Sequence, residues 1–114
     1  GGGMPIWLSP EQVRVLPISD KTSAYAQDVL ERLSQAGLRC SCDQSGEKIG
    51  AKIAKAHAEK LPCMLIVGPQ EVESSCVNVR SRGQQGSQAL SLDEFIQNIK
   101  QAIAVKEVNL VWGS

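Results

Sequence analysis

A chain of 114 residues and 12.2 kDa, with 42% hydrophobic and 21% charged side chains, has room for one compact domain. Its twelve basic and twelve acidic residues cancel, which argues against a binder that works by net charge alone but leaves local basic patches open. Its longest apolar run, around Met64-Leu65-Ile66-Val67, falls far short of the roughly 20 residues that a membrane-spanning helix needs. The domain is small for an enzyme that must bury a cofactor, so a binding module is the first expectation. Gly1-Gly2-Gly3-Met4 opens the chain without the basic and apolar regions of a signal peptide.

Gln12-Val13-Arg14-Val15-Leu16-Pro17-Ile18 predicts a strand, being rich in β-branched residues with proline near its end. Ser19-Asp20-Lys21-Thr22 then offers capping oxygens to a helix striped by Tyr25, Val29, Leu30, Leu33 and Ala36, with Gly37 as its stop. Residues 38–43 read as a second strand, 44–46 as a turn, and 47–60 as a second helix with Ile49, Ile53 and Ala56 inward. Pro62 ends that helix. Residues 63–67 are apolar on both faces, as in a central parallel strand. Gly68-Pro69-Gln70 reads as a turn, and Val77-Asn78-Val79-Arg80-Ser81-Arg82 alternates valines against arginines. A flexible loop follows over 83–88. Ser91-Leu92-Asp93-Glu94 then forms a capping box for a last helix striped by Leu92, Phe95, Ile96, Ile99 and Ile103. The order is β-α-β-α-β-β-α with the final pair antiparallel. It predicts an α/β fold of three layers, α/β/α, with about three helices covering both faces of a mostly parallel sheet. Segments 1–10 and 105–114 read as boundaries, with Trp7 and Trp112 meeting either the domain or a partner.

Four cysteines raise the question of a metal site or a disulfide. Cys40 and Cys42 lie two apart, Cys63 and Cys76 stand far downstream, no C-x-x-C pair occurs, and His57 is the only histidine. Core burial of Cys40, Cys42 and Cys63 as small hydrophobes is therefore preferred to metal binding or oxidation, and reduced thiols suit the cytosol. Catalysis finds no support. There is no nucleophile beside a base and no phosphate-wrapping glycine pattern, and His57 reads as a half-buried surface residue.

Charge placement is more informative. Residues 46–82 carry six basic side chains (Lys48, Lys52, Lys55, Lys60, Arg80, Arg82) against four acidic ones. Lys48, Lys52 and Lys55 share one helical face at i, i+4 and i+7, and Arg80 and Arg82 share one face of a strand. On charge alone this is a solvated helix face beside a soluble edge strand. The functional alternative is an RNA surface, with arginine for stacking and paired hydrogen bonds, lysine for phosphates, and Glu71 for base-edge donors.

Pro5-Ile6-Trp7-Leu8-Ser9-Pro10-Glu11-Gln12-Val13 resembles the P-x-W-L-[AS]-P-x-Q-V stretch that joins the catalytic core of threonyl-tRNA synthetases to their C-terminal anticodon-binding domain. Glu47-Lys48-Ile49-Gly50, Lys52-Ile53, Pro62, Met64-Leu65, Gly68, Glu71-Val72-Glu73-Ser74 and Val77-x-Val79-Arg80-x-Arg82 are similar to the same domain in register, over roughly residues 4–105. The resemblance implies a mixed, mostly parallel five-stranded sheet and recognition of the threonine tRNA anticodon, chiefly its central G and the following U. It implies that Glu71 and Arg80 read bases, with Lys48, Lys52 and Lys60 on phosphates and Arg82 beside them. Gly46 and Lys60 depart from the family's usual asparagine and arginine, which weakens base-specific reading at those two positions. The resemblance also makes Cys76 an exposed thiol and the one most open to oxidation.

On this basis residues 1–10 are a linker from a catalytic domain, 11–105 the anticodon-binding domain and 106–114 a tail. No catalytic residue, metal ligand or cofactor is expected here. ATP and zinc belong to the catalytic part of a parent threonine–tRNA ligase, which is expected to be a homodimer in the cytoplasm or an organellar matrix, the fragment itself being a monomer. DNA and membranes are not expected partners. The alternatives are a protein-interaction or dimerisation module that has lost anticodon reading, and a small redox or metal-binding domain.

Overall fold

The computed structural model describes residues 8–81 and 86–104; Trp7, Arg82 and Trp112 lie outside them. β1 (Val13–Pro17) is buried along its whole length. After a single 3-10 turn at Asp20–Thr22, α1 (Ser23–Gln35) buries Ala26, Val29 and Leu33. The helix ends as its sequence dictates. Gly37 takes φ +87°, and the amides of Gly37 and Leu38 return to the carbonyls of Ser34 and Leu33 at 3.0 and 3.1 Å. This closure needs a left-handed residue, which glycine adopts without steric cost.

β2 (Cys40–Cys42) and α2 (Ile49–Ala58) follow, each shorter than its sequence signal, and β3 (Cys63–Val67) matches its own. α3 (Pro69–Ser74) stands where a turn was expected. Proline suits a first helical turn, and the Gly68 N–H donates to Glu71 Oε1 at 2.7 Å, so a cap closes a helix too short for any periodicity. β4 (Cys76–Ser81) pairs with β5 (Gln88–Ser91), a strand the sequence reading had placed partly in a loop. α4 (Leu92–Ala104) starts as expected, with the Glu94 N–H donating to Ser91 Oγ at 3.1 Å.

The sheet order is β2-β1-β3-β4-β5. β1 pairs in parallel with both β2 and β3, whereas β3/β4 and β4/β5 are antiparallel. Four strands thus point one way and β4 the other, in the expected mixed five-stranded sheet. Strand alternation divides the core. Val13, Val15, Cys63, Leu65, Val67, Val77 and Val79 meet α1 and α4 on one face, while Leu16, Met64 and Ile66 meet α2 on the other. The chain leaves β1 for β2 on one side and returns to β3 on the other, so the carboxyl ends of β1 and β3 form the topological switch point where open α/β sheets bind ligands.

All four cysteines are free thiols. Cys63 is buried, and Cys40 and Cys42 are half-buried against the larger core cluster. Cys76 is half-buried rather than exposed, because Tyr25 lies over it and donates its hydroxyl to the Cys76 carbonyl at 2.8 Å. Burial first, and the Glu71 charge second, push the Cys76 thiol up, which disfavours the reactive thiolate. Among the described residues no three His, Cys, Asp or Glu side chains gather as a metal site, and no helix is long and apolar enough to cross a membrane.

Candidate nucleic-acid interface

A cavity of about 220 Å³ opens beside the switch point, past the carboxyl ends of β1 and β2, lined by residues 17–20 and Ser23 on one side and by residues 44–47 and Lys52 on the other. Its second wall is built by local hydrogen bonds. The Ser45 N–H donates to Asp43 Oδ1 at 3.0 Å and the Glu47 N–H to Ser45 Oγ at 3.4 Å, which bends the chain into α2. Burial alone would raise the Asp43 carboxyl. The Ser45 hydrogen bonds and the Lys52 and Lys55 charges outweigh it and hold the carboxyl below its ordinary value.

The expected site residues fall into two groups. Lys48 caps the start of α2 beside the cavity and is exposed. Glu71 is half-buried across the switch point, with one carboxylate oxygen on the Gly68 N–H. Lys52 differs from the sequence expectation. It does not share a solvated face with Lys48 and Lys55 but is only 3% exposed, its ammonium donating to the Pro17 carbonyl at 3.0 Å. The helical i, i+4 spacing places Lys52 near Lys48, but α2 packs on β1 along that side. The ammonium therefore anchors the end of β1 and lines the cavity floor.

Lys60 and Arg80 form the second group, toward the amino end of β3. Lys60 follows α2 at φ +58°, with its amide on the His57 carbonyl at 3.0 Å and the Leu61 amide on Ala56 at 3.1 Å. This is the left-handed helix stop that glycine usually occupies, held here by a lysine. Substituting Lys60→Gly should therefore raise stability by roughly 0.5–1 kcal/mol, read as the urea midpoint, because the left-handed strain disappears. If the lysine also meets a phosphate, the same variant should lower the salt slope of RNA binding by about one.

Arg80 stands opposite Met64 in the β3/β4 ladder, on the α2 side of the sheet. It is half-buried, and its Nε is buried without a partner among the described residues. Arg82 lies outside the described residues. The two groups stand apart along β3 by roughly 10 Å, three residues at about 3.3 Å each. An extended ligand can reach both. Sequence reasoning missed Ile18, the cavity loop at 44–45 and the role of Gly68. The available signal was the Gly-Pro-x-Glu run that caps α3.

With this geometry the chain matches the family model "Anticodon binding domain" over residues 12–102, and it belongs to that family. Similar curated proteins include threonine–tRNA ligases. That of Sulfurihydrogenibium sp. (strain YO3AOP1) is 45% identical over 107 residues, covering 94% of this chain and 17% of the relative. That of Caldanaerobacter subterraneus subsp. tengcongensis is 50% identical over 105 residues, covering 92% of this chain and 16% of the relative. The chain thus spans about one-sixth of the length of these relatives. The crystal structure of the RNA binding domain of threonyl-tRNA synthetase from Cryptosporidium parvum Iowa II superimposes with TM-score 0.82 at 32% identity, over 95% of this chain and 26% of that one. A prolyl-tRNA synthetase from the same organism shares the fold, at TM-score 0.78 and 22% identity.

Proposed function

We propose that this chain is the tRNA-reading part of a threonine–tRNA ligase and recognises the anticodon loop of threonine tRNA. The observation that carries the reading is a complementary pair inside the family's fold. Glu71 presents an acceptor at the carboxyl edge of the sheet, and Arg80 presents, on its α2 face, a buried donor without a partner among the described residues. Unstacked bases offer both donors and acceptors on their edges, and an opened anticodon loop is long enough to span the distance between the two. Lys48 adds a cation to the positive end of α2, where a phosphate is favoured twice over. Lys52 contributes from the cavity floor, and Lys60 and Arg82 complete the basic rim.

On this reading residues 1–10 link to a catalytic domain, 11–105 bind the anticodon, and 106–114 form a tail. Activation of threonine with ATP and its esterification to tRNA belong to the rest of the parent ligase, together with any zinc and the homodimer contact. This part needs no cofactor and can act as a monomer. The parent works in the cytoplasm or an organellar matrix.

The test is titration of the chain with the threonine tRNA anticodon stem-loop and with a copy altered at the central G, at two salt concentrations. The authentic loop should bind more tightly, and Arg80→Ala should remove about 1–3 kcal/mol of that preference. Equal, strongly salt-dependent binding to both loops would leave only backbone attraction and refute base reading. Indifference to both loops and to Arg80→Ala would favour an interaction module instead.

A further inference from the structure

Gly68 is buried, caps α3 and has φ −123°, ψ −173°, an extended conformation open to any residue. Backbone geometry therefore does not call for glycine at this position. Space does. A Cβ on Gly68 would lie 2.5 Å from Ile18 Cδ1, 3.2 Å from Glu71 Oε1 and 3.4 Å from Ile18 Cγ1. The methyl end of Ile18 and the Glu71 carboxylate thus crowd round the one point that a side chain at position 68 would occupy. Ile18 is set there by its own main chain, its N–H donating to the Val67 carbonyl at 3.0 Å, one residue before Gly68. Ile18 is nevertheless 41% exposed, at the rim of the cavity.

We propose that Gly68 and Ile18 are positioning residues for Glu71: the bare glycine admits the Ile18 methyl end, and together they keep Glu71 Oε1 on the Gly68 N–H so that the carboxylate meets an incoming base in one orientation. A carboxylate free to turn would aim its acceptor lone pairs in several directions and discriminate poorly between base edges. One held by a 2.7 Å hydrogen bond keeps its remaining lone pairs in one orientation. The inference rests on the proposed anticodon reading, within which Glu71 is a base-contacting residue.

The test is a double-mutant cycle. Gly68→Ala adds the crowding Cβ, and Ile18→Val deletes the Cδ1 atom that it would strike. The readout is the ratio of affinities for the authentic stem-loop and for copies altered singly at the central G and at the following U. Gly68→Ala should lower one of these ratios about tenfold, the cost of one misplaced polar contact, and Ile18→Val in that background should restore it to within about threefold. A ratio unchanged in Gly68→Ala overturns the proposal. So does a ratio that stays low in the double variant while its thermal stability recovers.

A second measurement needs neither RNA nor the Gly68→Ala protein. Ile18→Ala, an exposed truncation that keeps the fold, should speed hydrogen exchange of the Gly68 amide about fivefold. The Val72 amide, which donates to the Gly68 carbonyl at 3.0 Å, should be unaffected and serves as the control for helix opening. Unchanged Gly68 exchange overturns the positioning unit whatever RNA does. A wild-type chain that fails to distinguish the loops refutes the anticodon reading, and the exchange measurement then judges the positioning unit on its own.

Discussion

Replacing Arg14 with methionine will lower the stability of the domain by roughly 2–4 kcal/mol at pH 7, read as a fall in the urea midpoint. Arg14 points from β1 toward the α2 side and is only 8% exposed. Its Nε and one terminal nitrogen each donate to Glu11 at 2.9 Å, and its terminal nitrogens donate to Glu59 at 2.8 and 3.3 Å. Glu11 also accepts from the Ser41 hydroxyl of β2. One guanidinium therefore joins the segment before β1, the neighbouring strand and the end of α2. Without it, two carboxylates lose their shared cation. The cost lies in the lower part of the range for buried pairs because both carboxylates keep some water.

The same network predicts the pH dependence. Burial would raise the Glu11 carboxyl, but hydrogen bonds from Arg14 and Ser41, with the Arg14 charge, outweigh it and leave it below its ordinary value. The Arg14 hydrogen bond holds Glu59 low as well, and the hydrogen bonds to Glu11 and then Glu59 raise Arg14 itself. A carboxylate that is more acidic folded than unfolded contributes stability above its unfolded value, near 4.5, and loses it as the pH falls through the folded one. Wild-type stability should therefore decline more steeply between pH 6 and 3 than that of Arg14→Met. Parallel curves would show that the network does not couple protons to folding.

Phe95→Ala should cost more, about 3–5 kcal/mol, and lower Tm by well over 10 °C at roughly 4–8 °C per kcal/mol for a domain near this size. Phe95 is 0% exposed and stands among the largest fully buried side chains, within the core cluster shared by α1, α4 and the sheet. Its loss leaves a cavity between α4 and the strands that a close-packed interior fills only in part. Phe95→Leu, which keeps much of the volume, should cost less than half as much. Equal losses for the two variants would mean that the aromatic ring, not the filled space, supports the core.

Much of this protein was legible from residue order because local rules and burial agree. β3 is apolar on both faces since the sheet is covered on both, and α4 combines a serine cap with a stripe of Leu92, Phe95 and Ile99. The motifs around Glu71 and Arg80 pointed to the family before any geometry was known, because side-chain chemistry at fixed spacing survives in the sequence itself. β5 did not show. Gln88-Ala89-Leu90-Ser91 has one buried apolar residue, and its strand state comes from pairing with β4.

The candidate site was legible in its residue types but not in its geometry. Periodicity put Lys52 beside Lys48 and could not tell that one ammonium is exposed while the other lies against the Pro17 carbonyl, since that depends on how α2 packs against β1. Nor could it tell what a side chain at position 68 would meet, because the nearest atoms belong to Ile18, fifty residues earlier in the chain. Residue order by itself determined most of the elements, all but α3 and β5, together with the two-sided core and the family, which follow from neighbours along the chain and from apolar patterning. Only the tertiary structure decided which charged groups are anchored and which donor lacks a partner among the described residues, since each of these depends on a distance between segments remote in sequence.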